Sequence, residues 1–149
     1  MSAKHTREYQ YQFMIDKMKD RDRVAMGLRA GMMWRLDPKL LGITLARHKF
    51  VAKMLTGYSR VLEVGCGDAF ASRVLHPEID EIHAIDFDEV FIEAAREHLE
   101  PEWPVTLAVH DVLSGPYAPG KTFDAAFSLD VIEHIPVEHE DVFLNNICH

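Results

Sequence analysis

The sequence has 149 residues, of which 48% are hydrophobic, so the chain is long enough for one domain with a buried core. Its formal net charge of −8 argues against nucleic-acid binding as the main function, and no segment has the roughly 20 consecutive apolar residues of a membrane span. The polar N-terminus lacks the apolar run of a secretory signal, which favours a cytoplasmic protein.

The N-terminal third of the sequence has the pattern of helices. Apolar residues recur there at three- and four-residue steps, with charged residues between them. The pair Asp37-Pro38 ends one helix and begins another, because proline is favoured in a first turn. This second helix is expected to run to Leu55 and to cover a sheet with Leu41, Leu45, Phe50 and Met54. We treat residues 1–56 as an N-terminal helical cap.

From Arg60 onward, short apolar segments alternate with amphipathic ones. The predicted strands are residues 61–64, 81–86, 105–111 and 123–130. Helices are predicted over residues 69–75 and 88–100, the second with Asp88 as its N-cap. Because alternating strands and helices form parallel βαβ units, residues 57–149 are expected to form a Rossmann-like, doubly wound parallel α/β sheet, preceded by the N-terminal helices.

Acidic residues stand where the predicted strands end. Asp86, Asp111 and Asp130 close the second, third and fourth strands, and Glu63 lies near the end of the first. Parallel strands share one carboxyl edge, where open α/β sheets bind their ligands. The four acids are therefore expected to surround one site.

A glycine turn follows the first strand, in the segment EVGCGDAF at residues 63–70. A Walker phosphate loop would need a lysine that the sequence does not supply. A dinucleotide site would need glycine where Phe70 stands, so an NAD-dependent reductase is the less favoured alternative. The carboxylate of Glu63 would repel a pyrophosphate but suits a cation, such as the ammonium and sulfonium groups of S-adenosylmethionine (SAM).

On these residues the sequence resembles the class I SAM-dependent methyltransferases. Their first motif, an acid followed by G-x-G and a small residue, matches Glu63, Gly65, Gly67 and Ala69. Further motifs follow in order at the predicted strand ends, the last of them SLDVIEHI at residues 128–135. The resemblance implies SAM as the cofactor and methyl transfer to a small-molecule acceptor, on oxygen or nitrogen.

The resemblance also implies which residues bind the cofactor. Asp86 is expected to bind both ribose hydroxyls, and Phe87 to flank the adenine. Asp111 and Val112 are expected to read the adenine edge with a carboxylate and a backbone amide. Cys66 is expected to direct its amide at the ligand rather than to act as a nucleophile. The residues expected at the methionine end are Glu63, Gly65, Cys66, Gly67 and Asp130.

His134, after the fourth predicted strand, is the candidate catalytic residue. Imidazole titrates near neutral pH and can take a proton from an acceptor hydroxyl. A structural or solvent-facing role at a helix start is the alternative. No metal is expected, because Glu133, His134 and His139 lack the spacing of a compact ligand set.

The complete domain of this family has seven strands, and the sequence accounts for the first four. The resemblance therefore implies an incomplete sheet, with the apolar fourth strand as an open edge that invites pairing. We expect either that the chain is the N-terminal portion of a longer enzyme or that a second copy or a partner chain covers this edge. The alternative function is a SAM-binding but catalytically inactive module that acts through such a partner.

Overall fold

The computed structural model of the protein describes residues 6–19, 24–103, 105–117 and 122–148. The α-helices in these ranges are α1 (Tyr9–Lys17), α2 (Leu28–Leu36), α3 (Pro38–Met54), α4 (Glu89–Glu97) and α5 (Glu140–Cys148). The strands are β1 (Arg60–Val64), β2 (Glu81–Asp86), β3 (Val105–Val109) and β4 (Ala125–Ser128). Short 3-10 helices lie at Ala71–Val74, Val112–Ser114, Ile132–His134 and Val137–His139.

The four strands form one parallel sheet in the order β3-β2-β1-β4. In its register, Val61 of β1 lies opposite Ile82 of β2 on one side and opposite Ala125 of β4 on the other. The chain thus proceeds from β1 to β2 and β3, and then returns to the far side of β1. Such a reversal of strand order opens a crevice at the carboxyl ends of the strands. The predicted parallel α/β sheet is confirmed.

Side chains that alternate along the strands build a core on each face of the sheet. On one face, Val61 and Ile82 pack with residues of α3 and α4, among them Ile92. On the other face, Leu62 and Ile85 pack with Phe143 of α5. Helices therefore cover both faces, as the term doubly wound implies.

The N-terminal helices differ in how they pack. Helix α1 has no buried residue, whereas α2 and α3 form a small core of their own from Ala30, Met33 and Leu41. Asp37 caps α3 as the sequence predicts, and its carboxylate accepts a hydrogen bond from the Lys39 N–H at 3.1 Å. Among the described helices, none is both long and apolar enough to cross a membrane.

The face that α3 presents to the sheet differs from the predicted one. Leu41 packs with α2 rather than with the sheet. Phe50 and Met54 are each 65% exposed, and Val51 and Ala52 reach the sheet core instead. The helix is apolar on two sides, so its sequence pattern does not identify the side that is buried.

Two boundaries after the first strand also differ. The helix predicted over residues 69–75 is only the 3-10 helix Ala71–Val74, because Ala69 has a φ of +51° and cannot begin a right-handed helix. β3 and β4 end before their acids, so that Asp111 and Asp130 each lie two residues beyond a strand. Both acids therefore sit in loops at the carboxyl edge of the sheet.

Candidate active site

A cavity of about 590 Å³ opens where the four strands end. The predicted site residues that line it are Gly65, Gly67, Asp86, Phe87, Asp111, Val112, Asp130 and His134. Glu63 and Cys66 lie outside it. Small-molecule and cofactor sites are usually concave pockets of this size, at the switch point of an α/β sheet. The fold thus brings residues from four strand ends to one ligand-sized cavity.

The glycine turn after β1 forms part of the cavity wall. Gly65 and Gly67 have φ angles of +79° and +57°, which glycine adopts at much lower cost than other residues. An added Cβ at Gly65 would also lie 2.2 Å from Cγ2 of Val131. This position therefore requires glycine for its conformation and for the space around it.

Cys66 lies between these glycines, and its backbone amide does not point in the predicted direction. Its N–H and that of Gly65 both donate to the carbonyl oxygen of Ile85, at 3.0 and 2.8 Å, so the Cys66 amide is not directed at the cavity. Burial raises the pKa of the Cys66 thiol, and the charges of Glu63 and Asp86 act in the same direction. A raised pKa disfavours the thiolate, which is the nucleophilic form of cysteine.

Asp86 connects the end of β2 to the glycine turn. Its Oδ2 accepts from the Gly67 N–H at 2.8 Å, and its Oδ1 accepts from the Asp88 N–H at 3.0 Å. A carboxylate oxygen can accept more than one hydrogen bond, so both remain available to a ligand hydroxyl. Asp86 therefore shapes the turn and lines the cavity at the same time.

The loop after β3 forms another part of the wall. The Asp111 carboxylate accepts from the Leu113 N–H at 2.9 Å and caps the short helix Val112–Ser114. Nε2 of His110 donates to the carbonyl oxygen of Gly115 at 2.8 Å. Hydrogen bonds among its own residues thus hold the segment that is predicted to read an adenine edge.

Glu63 points away from the cavity, toward α3. Its Oε1 lies 3.1 Å from Nε2 of His48, and both residues are buried. Nδ1 of His48 lies 2.9 Å from the carbonyl oxygen of Thr44. Burial lowers the pKa of His48, but the hydrogen bond to Glu63 and the charge of Glu63 outweigh burial, so the pKa is raised. The expected contact of Glu63 with the cofactor is corrected accordingly: His48 is its partner.

Asp130, beyond β4, is also bound by a residue of α3. Nη1 of Arg47 lies 2.5 and 2.6 Å from the two carboxylate oxygens of Asp130. Asp130 has a φ of +56°, a left-handed conformation that aspartate adopts more readily than most residues. The next residue, Val131, contacts the turn at Gly65. The Arg47–Asp130 pair therefore links α3 to the segment that covers the glycine turn.

His134 lies at the end of the 3-10 helix Ile132–His134 and lines the cavity. The residue is exposed, and its side chain makes no hydrogen bond within the ranges that the structure describes. Its ring nitrogens are therefore accessible to an acceptor molecule.

Sequence reasoning missed several residues of the cavity. Arg29 of α2 lies beside the turn, with its Cδ 3.6 Å from the position of a Cβ added at Gly67, and it forms no ion pair within the described part of the chain. Phe91 of α4 and Phe143 of α5 add apolar surface. The amphipathic pattern of α4 is a sequence signal for an inward-facing residue, whereas nothing in the sequence marks Arg29.

The cavity thus combines carboxylates for hydroxyl groups, backbone groups at a close-approach turn, a guanidinium and apolar walls. Outside the gaps at residues 1–5, 20–23, 104, 118–121 and 149, no three His, Cys, Asp or Glu side chains are arranged to hold a metal ion. Such a site fits a ligand with a ribose, a flat apolar ring and an anionic end.

Comparisons with known proteins agree with this chemistry. The family model described as a methyltransferase domain matches residues 61–149. A ubiquinone biosynthesis O-methyltransferase from Xylella fastidiosa is 32% identical over 83 residues, which are 52% of this chain and 32% of that protein.

Solved structures with the same fold include two complexes with S-adenosylhomocysteine (SAH). The N-methyltransferase NodS from Bradyrhizobium japonicum superposes with a TM-score of 0.64 and 18% identity, over 93% of this chain and 66% of NodS. DhpI superposes with a TM-score of 0.63 and 20% identity, over 80% of this chain and 57% of DhpI. The chain thus spans about a third of the curated relative and about two thirds or less of these structures. It belongs to the methyltransferase domain family and shares the fold of these two SAH-bound structures.

Proposed function

We propose that the chain binds SAM in this cavity and transfers its methyl group to a small-molecule acceptor. The observation that carries the proposal is the convergence of the glycine turn, Asp86 and Asp111 from three strand ends on one cavity. Family membership and the SAH complexes of structural neighbours support the same cofactor.

In this proposal the adenosine half of SAM lies along the ends of β2 and β3. Asp86 accepts from the ribose hydroxyls, in addition to the two amides that it already holds. Phe87, which is 74% exposed at the cavity, packs on the adenine ring. Asp111 and the Val112 N–H bind the polar edge of the adenine.

The methionine half lies along the glycine turn. Gly65 and Gly67 allow close approach to the backbone, because neither has a side chain. Arg29 is available beside Gly67 and pairs with the carboxylate of the methionine. Arg29 therefore supplies a contact that the sequence motifs do not include.

For the reaction, SAM supplies a methyl group on a sulfonium that is already a good leaving group. The residues of the chain contribute mainly the position of the acceptor and the exclusion of water. With a hydroxyl acceptor, His134 takes the proton from the acceptor oxygen as that oxygen bonds to the methyl carbon. With an amine acceptor, proximity is sufficient and the proton passes to solvent.

The acceptor is proposed to be a small molecule. The formal net charge of −8 disfavours nucleic acid. Oxygen and nitrogen both stay open as the acceptor atom, since the Xylella relative is an O-methyltransferase and NodS is an N-methyltransferase. We also propose a cytoplasmic location, in keeping with the two free cysteines, Cys66 and Cys148.

A second candidate function is a SAM-binding module that is inactive alone and acts through a partner chain. The observation that favours it is the position of β4, which pairs with β1 and with no other described strand. Unpaired strand edges are sites of strand addition. A second copy of this chain or another chain would then complete the sheet.

Calorimetric titration of the wild-type chain with SAM and SAH tests the cofactor site. We expect both to bind, NADH not to bind, and Asp86→Ala to weaken both by at least tenfold. Binding of NADH instead, or SAH affinity that is unchanged in Asp86→Ala, would refute the assignment.

The role of His134 is tested by His134→Gln with a panel of hydroxyl and amine acceptors. For a hydroxyl acceptor we expect kcat to fall at least tenfold and the Kd for SAH to stay within twofold of wild type. An unchanged kcat contradicts the role as a base. SAH binding without turnover of any acceptor favours the partner-dependent module.

A further inference from the structure

Helix α3 binds to the carboxyl edge of the sheet at the ends of two neighbouring strands. Its adjacent residues Arg47 and His48 contact Asp130 beyond β4 and Glu63 of β1, respectively. Arg47 and Asp130 are 83 residues apart in sequence. A single nitrogen, Nη1, makes both contacts of Arg47, rather than two nitrogens in a fork.

The conformation of Asp130 decides where the following residues lie. Its φ of +56° turns the chain so that Val131 abuts Gly65, where even a methyl group would collide with it. Three residues further on, His134 lines the same cavity. A constraint on Asp130 is therefore a constraint on the segment that covers the glycine turn and carries His134.

We propose that Arg47 is a positioning residue that acts through Asp130 and holds the segment 130–134 over the methionine end of the cofactor site. The inference rests on the proposed function for the location of that end. It also reassigns Asp130, whose carboxylate serves as the anchor for Arg47 and not as the counter-ion of the methionine ammonium.

The two roles of Asp130 predict opposite effects of removing Arg47. If Asp130 is an anchor, Arg47→Ala removes the cation that holds it, the segment 130–134 is released, and the methionine end binds more weakly. If Asp130 is instead a counter-ion of the methionine ammonium, Arg47→Ala removes a cation that competes for its carboxylate. Binding of the ligand is then unchanged or tighter. Asp130→Asn tests the charge of residue 130 separately from its backbone conformation, because asparagine also adopts positive φ readily.

The experiment measures the Kd of SAH and of 5′-methylthioadenosine, which lacks the amino-acid end, by calorimetry. We expect Arg47→Ala and Asp130→Asn each to weaken SAH three- to tenfold and to leave 5′-methylthioadenosine within twofold. The double variant should be no weaker than the singles, because both remove one interaction. Arg47→Lys should stay within twofold of wild type, since one nitrogen makes both contacts.

Lys53→Ala is the matched control, because Lys53, in the last turn of the same helix, forms an ion pair with Glu78. It should leave both ligands within twofold of wild type. Without ligand, the NMR amide shifts of residues 131–135 should change in Arg47→Ala and not in Lys53→Ala.

Three results overturn the proposal. The first is SAH affinity in Arg47→Ala that equals or exceeds wild type. The second is equal weakening of both ligands together with a lowered Tm, which indicates general destabilisation. The third is unchanged amide shifts in Arg47→Ala. Absence of SAH binding by the wild-type chain is a separate outcome. It would refute the proposed function and, together with it, the inferred role of Arg47 in ligand binding.

Discussion

The acids at the two sides of the cavity are held in different ways. On the side of β2 and β3, Asp86 and Asp111 accept from backbone N–H groups, two of them only two residues away along the chain. On the side of β1 and β4, Glu63 and Asp130 are bound by the side chains of His48 and Arg47, 15 and 83 residues away.

This difference separates two kinds of carboxylate in one site. An acid that caps its own turn is neutralised only in part and stays available to a ligand. An acid that binds a cationic side chain has its charge compensated by the protein itself. The β2–β3 side is therefore suited to ligand hydroxyls and amides, and the β1–β4 side to holding the elements of the fold together.

The largest expected effect on ligand binding is that of Gly65→Ala, at the boundary between the two sides. The added methyl group would collide with Val131 at a positive φ. We expect SAH binding to weaken by more than a hundredfold and the free energy of unfolding to fall by about 2–4 kcal/mol, from clash and backbone strain together. Calorimetry and thermal denaturation measure these changes.

Gly57→Ala provides the matched control for this prediction. Gly57 also has a positive φ, +95°, but nothing lies within 4 Å of an added Cβ. Its cost is strain alone, about 1 kcal/mol, with unchanged SAH affinity. Equal effects of the two variants would show that contact with the β4 loop does not constrain the turn.

The largest expected effect on stability alone concerns the buried pair on the β1 side. His48→Ala leaves the Glu63 carboxyl group buried without its hydrogen-bond partner, and loss of one partner of a buried pair costs about 3–5 kcal/mol. We expect a correspondingly lower Tm. A Tm equal to that of wild type would contradict a stabilising role of the His48–Glu63 pair.

The same pair predicts a pH dependence. The pKa of His48 is raised from its usual 6.5, so its contribution to stability is complete below pH 6.5 and is lost as pH rises through the folded pKa. Glu78 and Glu81 have lowered pKa values and lose their contributions on the acid side instead. Wild type should therefore lose stability as the pH rises above 6.5. In His48→Gln, which keeps a donor but does not titrate, this loss should be absent.

The smallest effects are expected from the backbone-capping acids. Asp86→Asn places an amide against a buried N–H, which costs about 1–3 kcal/mol, whereas the exposed cap Asp111→Asn costs at most about 1 kcal/mol. SAH affinity should fall at least tenfold in the first and less than fivefold in the second. The reverse order would contradict the distinction between a buried and an exposed cap.

The parts of the fold that were predictable depend on nearby residues. Strand β2 has its predicted limits, and Asp88 caps α4 as expected, with its carboxylate 3.0 Å from the Val90 N–H. These features follow from apolar runs and from caps two residues away. The position of Asp86, Asp111 and Asp130 at one cavity was predictable too, because parallel strands share an edge, whereas Glu63 lies outside that cavity.

The errors arise where a distant residue decides the outcome. Glu63 is expected to contact the cofactor, but its partner in the structure is His48, which no motif includes. The buried side of α3 depends on the position of the sheet, and Phe50 remains exposed although it is apolar. The sequence predicts a helix that begins at Ala69, because local sequence patterns do not indicate a left-handed φ.

The position of the Asp68 carboxylate in the glycine turn limits which residues can evolve at position 27. Its Oδ2 accepts from the Ala30 N–H at 3.0 Å in the first turn of α2, and a Cβ added at Gly27 would lie 2.4 Å from that oxygen. A side chain at position 27 therefore excludes the carboxylate at position 68. In relatives that share this arrangement, the two positions should covary: larger residues at 27 should accompany smaller ones at 68, although 40 other residues separate them in sequence.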